Sequence, residues 1–124
     1  MKEKSIISHQ VDGQTFFEFR SEDQFINNVQ DALDLIGELF GQYYDGIIIH
    51  EHSISPRFFD LKTKLAGEIL QKFSNYRVRL AIVGDWSKYT SHSFAAFIVE
   101  SNRGRMVNFT TSTEEAVALL SRFK

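Results

Sequence analysis

Apolar residues recur along this chain in two periods, and the switching between them outlines a fold. Ile6 to Val11 and Thr15 to Phe19 are short β-type runs, and the Asp12-Gly13 between them is a strong hairpin signal. Ser21, with Gln24 three residues later, has the form of a capping box. Phe25, Ile26, Val29, Leu33, Ile36 and Phe40 then follow at helical spacing until Gly41 supplies a stop. Gly46 to His50 carries three consecutive isoleucines, the pattern of a strand buried on both faces. Ser55-Pro56 has the order of an N-cap and a first helical residue. After it Phe58, Leu61, Leu65, Ile69 and Phe73 trace the stripe of a second long helix. Asp60, Lys64, Glu68 and Lys72 alternate in sign on its other side, as a solvated face with ion pairs one turn apart does.

Val78 to Val83 is the next strand, ended by Gly84-Asp85 and followed by a polar loop from Trp86 to His92. Phe94 to Val99 fits a short buried helix or a strand, and its flanks, Ser93 before and Ser101 to Gly104 after, favour the helix. Met106 to Phe109 is a last short strand. Ser112 and Glu115 form a second capping box, opening a helix with Val117, Leu120 and Phe123 on one face. The predicted order is β-β-α-β-α-β-α-β-α: an α/β domain spanning residues 1–124, with a mainly parallel sheet opened by an N-terminal hairpin.

Composition narrows the function classes. With 124 residues, no cysteine and no repeat, the chain needs and offers no disulfide or thiolate site. A net charge of −2 and a pI near 6.1 argue against a basic nucleic-acid binder. No apolar run approaches the 18 or so residues of a membrane span, and none of signal-peptide length follows Met1, so a cytoplasmic location is expected. The small net charge conceals an asymmetry. Residues 1–60 hold four Lys and Arg against eleven Asp and Glu, a net of −7, and residues 61–124 hold ten against five, a net of +5. Complementary patches of this kind favour self-association or an oriented protein partner, unless the two halves neutralise each other within the molecule.

Two resemblances follow from particular residues. Asn28 to Asp34, Phe58 to Thr63, Leu65 to Tyr76, Leu80 to Asp85 and Glu100 to Asn102 resemble a bacterial domain-of-unknown-function family, number 4180. That resemblance covers most of the chain after Ser21 and implies no activity. The element order resembles the anti-sigma-factor-antagonist (STAS) fold, whose domains are mostly regulatory binding modules. Many of those are switched by phosphorylation of a serine at the start of the helix after the third strand, which by position implies Ser53 or Ser55 here. The short Asp-Ser/Gly-Ser/Thr signature of that switch is absent from Glu51-His52-Ser53-Ile54-Ser55-Pro56.

Chemistry is expected where the strands of a parallel sheet end. His50 to Ser55, Asp85 to Ser91 and Thr110 to Ser112 should converge there. His50 and His52 lie two apart, so in an extended strand both rings point to one side. With Asp85 they are the candidates for a facial metal site, whose third ligand only tertiary structure can confirm, and neither metal nor cofactor is expected. His52 with Asp85 could form a general acid–base pair, with Ser53, Ser87 or Tyr89 as nucleophile or proton donor. No Gly-x-Ser-x-Gly elbow, Ser-x-x-Lys or phosphate loop is present.

The leading expectation is therefore a non-enzymatic regulatory or protein-interaction domain, contacting its partner through the loop from His52 to Phe59 and the adjoining helix. Its candidate contact residues are Ser53, Ser55, Arg57, Phe59 and Ser87. The alternative is a small-molecule- or metal-binding enzyme using His50, His52, Asp85 and Tyr89 at the same edge. Among the twelve phenylalanines, Phe25, Phe40, Phe58, Phe73, Phe94 and Phe97 fall on core stripes. Phe16 and Phe59 fall off them and are candidates for a partner-facing apolar patch. Gly67, inside a helix, predicts a close packing contact, against the sheet or a partner chain.

Overall fold

The computed structural model describes residues 4–122. Its elements are β1 (Ser5–Val11), β2 (Gln14–Arg20), α1 (Val29–Glu38), β3 (Gly46–His50), α2 (Leu65–Asn75), β4 (Leu80–Val83), α3 (His92–Arg103), β5 (Val107–Thr110) and α4 (Thr113–Ser121). The predicted element order holds. β1 and β2 are antiparallel, joined by Asp12 and Gly13 at φ 50° and 80°, the backbone pair that a twisted two-residue hairpin requires. The pairs β2–β3, β3–β4 and β4–β5 are all parallel, so the sheet runs β1-β2-β3-β4-β5 in chain order.

That order decides where the helices go. Right-handed crossovers that step in one direction put every connecting helix on one face. Side chains alternate along each strand, so each strand divides between two cores. Phe19, Ile47, Ile49, Leu80, Ile82 and Phe109 pack with Leu35 of α1, Ile69 and Phe73 of α2 and Phe94 of α3. The opposite parity, Phe16, Ile48, Ala81 and Val83, packs with Ala116 and Leu120 of α4 alone among the helices. Phe16 is thus fully buried, and the patch it was to share with Phe59 does not form. An off-stripe phenylalanine on a two-faced strand simply belongs to the second core.

Several local expectations are corrected. α1 starts at Val29, not after Ser21: Asn28 accepts from the Asp31 amide, and Asp31 accepts from the Asn27 amide. Residues 21–28 are pinned instead to the following loop, with the Phe25 and Ile26 amides donating to Ser53 O and Ser55 N donating to Ile26 O. Phe40, counted as core, is 69% exposed beyond the end of α1. The second long helix is broken into three pieces. Ser55 caps a 3-10 turn over Pro56–Phe59, Asp60 caps another over Leu61–Thr63, and Lys64 at φ 65° precedes α2. Asp60 and Lys64 therefore leave the predicted charge row. Gly67 is exposed, and a Cβ there would meet nothing within 4 Å, so the expected close contact with the sheet is absent. The second capping position does form, Ser112 Oγ accepting from the Glu115 amide at 3.1 Å. Phe123 lies outside the described residues.

Candidate functional site

The carboxyl ends of β2, β3, β4 and β5 lie along one edge of the sheet, and the three polar segments meet there through specific bonds. Gly84 N and Trp86 Nε1 both donate to Thr110 O, at 3.0 and 2.7 Å. Glu51, just past β3, accepts from the Asp85 amide at 3.1 Å, from the Tyr89 hydroxyl and from Lys88 Nζ at 2.9 Å. Gly84 permits this approach, because a Cβ there would sit 2.6 Å from Glu51 Oε1 and 2.7 Å from Glu51 Cβ. Burial and then the bond to Glu51 raise the Tyr89 pKa above the ordinary tyrosine value, and the same carboxylate raises that of Lys88. Below these groups Phe59, Trp86, Tyr89 and Phe94 pack ring against ring, with centroids 5.1–6.3 Å apart.

The residues singled out from sequence are distributed as follows. His50 and His52 do share one side, with ring centroids 5.6 Å apart and planes 27° apart. They do so because a 3-10 turn at Glu51–Ser53 follows the strand. The His52–Asp85 pair has no hydrogen bond or ion pair. His52 Nε2 donates to Ser21 O at 2.9 Å, whereas Asp85 accepts from both the amide and hydroxyl of Ser87, which lowers its pKa. Tyr89 is joined to Glu51, not to either histidine. Ser53 is fully buried and its hydroxyl has no partner, and Ser55 is 7% exposed and caps the Arg57 amide at 3.3 Å. Phosphorylation of either serine requires this loop to open. Arg57 is exposed, but Phe59 is 7% exposed and belongs to the aromatic cluster, so it offers no surface patch.

Sequence reasoning missed a buried and heavily partnered charge. Glu18 is fully buried in β2. Its Oε1 accepts from His9 Nε2 at 2.8 Å. Its Oε2 accepts from His50 Nε2 at 2.6 Å, Arg20 Nε at 2.9 Å and Thr113 Oγ1 at 3.2 Å. Burial alone would raise its pKa, but the bonds from Arg20, His50 and His9 prevail and hold it at about 2. The cluster ties β1, β2, β3 and the start of α4 together. Its sequence signal was a lone carboxylate in the run Phe16-Phe17-Glu18-Phe19, where burial of a charge demands partners.

His50 and His52 stand between two clefts on this edge. One, of about 840 Å³, is lined by Lys4, Ser5, Arg20, Ser21, Glu22, Asp23 and both histidines. The other, of about 390 Å³, lies toward Glu51, Phe59, Lys88 and Tyr89. Among the described residues no three His, Asp or Glu side chains are grouped so as to hold a metal ion. No helix of the described residues is long and apolar enough to cross a membrane.

Comparison with known proteins adds a family. The model of the family described as Domain of unknown function (DUF4180) matches residues 11–120, and the chain belongs to that family. No curated protein and no solved structure matches it.

Proposed function

We propose that this DUF4180 domain is a non-enzymatic regulatory module of STAS-like type, acting in the cytoplasm by binding a protein partner through the carboxyl edge of its sheet. The observation that carries the reading is how the polar groups of that edge are used. Glu51, Asp85, Ser87, Lys88 and Tyr89 are spent on one another, holding loop to loop. Such a framework presents a shaped surface and leaves Asp85 and Tyr89 engaged away from the histidines. The helices follow the same logic: a consecutive strand order has no reversal, and so none of the crevice where doubly wound enzymes bind their cofactors.

The contact surface on this reading is the loop from His52 to Phe59, where Pro56 and Arg57 are exposed over the buried Phe58 and Phe59. Arg57 on a rigid turn, flanked by apolar side chains, is the kind of anchor that interfaces favour. The test is affinity capture and native mass spectrometry on the full chain from its own cells, beside an Arg57→Glu variant of unchanged circular dichroism. The expected result is a partner or oligomer held by the parent chain and lost in the variant. Finding neither under cellular conditions overturns the reading.

A further inference from the structure

The larger cleft has features that a protein-docking surface does not need, and their reading does not rest on the preceding proposal. Arg20 reaches the cleft with 56% of its side chain exposed, yet its Nε is anchored on the buried Glu18. His50 is anchored on the same oxygen. A buried carboxylate needs one cation to be neutralised. Here Glu18 Oε2 takes donors from two residues that line the cleft, and so fixes the placement of both. Holding first-contact groups through a buried second layer is how binding sites are preorganised.

The two histidines add a specific chemistry. A carboxylate and a carbonyl only accept, so His50 and His52 each donate through Nε2–H. No hydrogen bond reaches either Nδ1 among the described residues. A neutral ring so committed offers a lone pair at Nδ1, and a protonated ring offers a second donor.

We propose that the cleft binds a small oxyanion, a carboxylate or a phosphate group. The Arg20 guanidinium is its fork, and His50 and His52 are donors recruited by proton uptake. The remaining charges set the size of the ligand. Glu22 and Asp23 also line the cleft, and Glu38 already holds Lys4 at 3.0 Å. These acids disfavour a polyanion and favour a single anionic group on a small polar body. Charged and hydrogen-bonding groups face the imidazoles and Arg20 from every neighbouring element: His9 of β1, Glu18 of β2, Thr113 and Glu114 of α4, and Glu51 after β3. Ligand-linked proton uptake has to be separated from theirs, which the variants below do.

The experiment titrates the full chain with lactate and, separately, with inorganic phosphate at constant ionic strength. Binding is followed by calorimetry and by the histidine ring resonances at about pH 6 and about pH 7.5. Saturable binding is expected for at least one anion, severalfold tighter at the lower pH because a bound anion favours the protonated rings. Which anion saturates identifies the source of the group. Arg20→Lys keeps the charge and loses the fork, and should weaken binding about tenfold. His52→Gln changes an exposed ring and should flatten the pH dependence while circular dichroism stays unchanged. Absence of saturable binding of both anions, or binding by both variants that matches the parent's in strength and pH dependence, overturns the proposal.

Discussion

A carboxylate with no exposure in the middle of a strand stays ionised only if its partners outweigh its desolvation. For Glu18 they do, and the consequence is a stability that depends on pH. Its pKa falls from an ordinary 4.5 to about 2 on folding. A depressed pKa contributes stability that is full above the unfolded value and is lost as the pH falls through the folded one. The contribution is about 3 kcal/mol at neutral pH by linkage. Glu18→Gln should therefore lower the urea-unfolding free energy by about 2–3 kcal/mol near pH 7, with the difference from the parent closing between about pH 4.5 and 2. A difference that persists undiminished in acid would assign the loss to packing instead of charge. Gly84 is a second residue whose role is local and steric. A Cβ there would meet Glu51 at 2.6 Å and the Trp86 ring at 3.0 Å. Gly84→Ala should cost about 1–3 kcal/mol in thermal or denaturant melts. Only part of that cost should vanish in a Glu51→Ala background, which removes the carboxylate oxygen but keeps the Glu51 Cβ at 2.7 Å. Both residues stood in the sequence as weak signals. Glu18 is one acid in an aromatic run and Gly84 the end of a strand, because His9, His50 and Thr113 around the first and Glu51 against the second are brought up only by the fold.

At the scale of elements, periodicity located the helices and strands and misplaced two of the ends. The Ser21–Gln24 and Asn28–Asp31 segments both have capping character, and tertiary bonds chose between them: the Ile26 backbone pairs with the Ser53–Ser55 loop, so the helix cannot begin until that pairing ends. The stripe from Phe58 to Phe73 is real as burial and false as one helix, since 3-10 turns can keep Phe58 and Phe59 inward while Lys64 reverses the backbone. Composition cannot distinguish these cases, because both bury the same residues. The correction at Gly67 yields a prediction of the opposite sign to the usual core mutation. The glycine lies in the first turns of α2 with open space where a Cβ would stand. Gly67→Ala should raise stability by about 0.4–1 kcal/mol by restricting the unfolded chain. Denaturant melts showing destabilisation would mean that this helix face is occupied by something else in the native protein.

For the whole molecule, the consecutive strand order turns a property of the sequence into a property of the surface. Chain order and spatial order coincide across the sheet. Residues 1–60, net −7, therefore supply β1, β2, α1 and β3 on one side, and residues 61–124, net +5, supply α2, β4, α3 and β5 on the other, with α4 packed on the opposite face of the sheet across both. The charge separation legible in the sequence survives folding because no strand is inserted across the boundary, which could not be known before the sheet order was. Most of the basic groups of the second half are exposed, including Lys62, Arg77, Lys88, Arg103 and Arg105, as are Glu22, Asp23, Asp34 and Glu38 in the first. Separation of this kind governs encounter and self-association more than fold. It should show as retention of the protein at neutral pH and low salt on both anion- and cation-exchange media, although its net charge is only −2. Arg103 and Arg105 lie at the exposed end of α3, next to the edge strand β5. Replacing both by glutamate should abolish retention on the cation exchanger and leave elution from the anion exchanger later, with the melting temperature little changed. Retention on the anion exchanger alone by the parent chain would show that the two halves neutralise each other within the molecule, and would remove charge as the force that orients a partner.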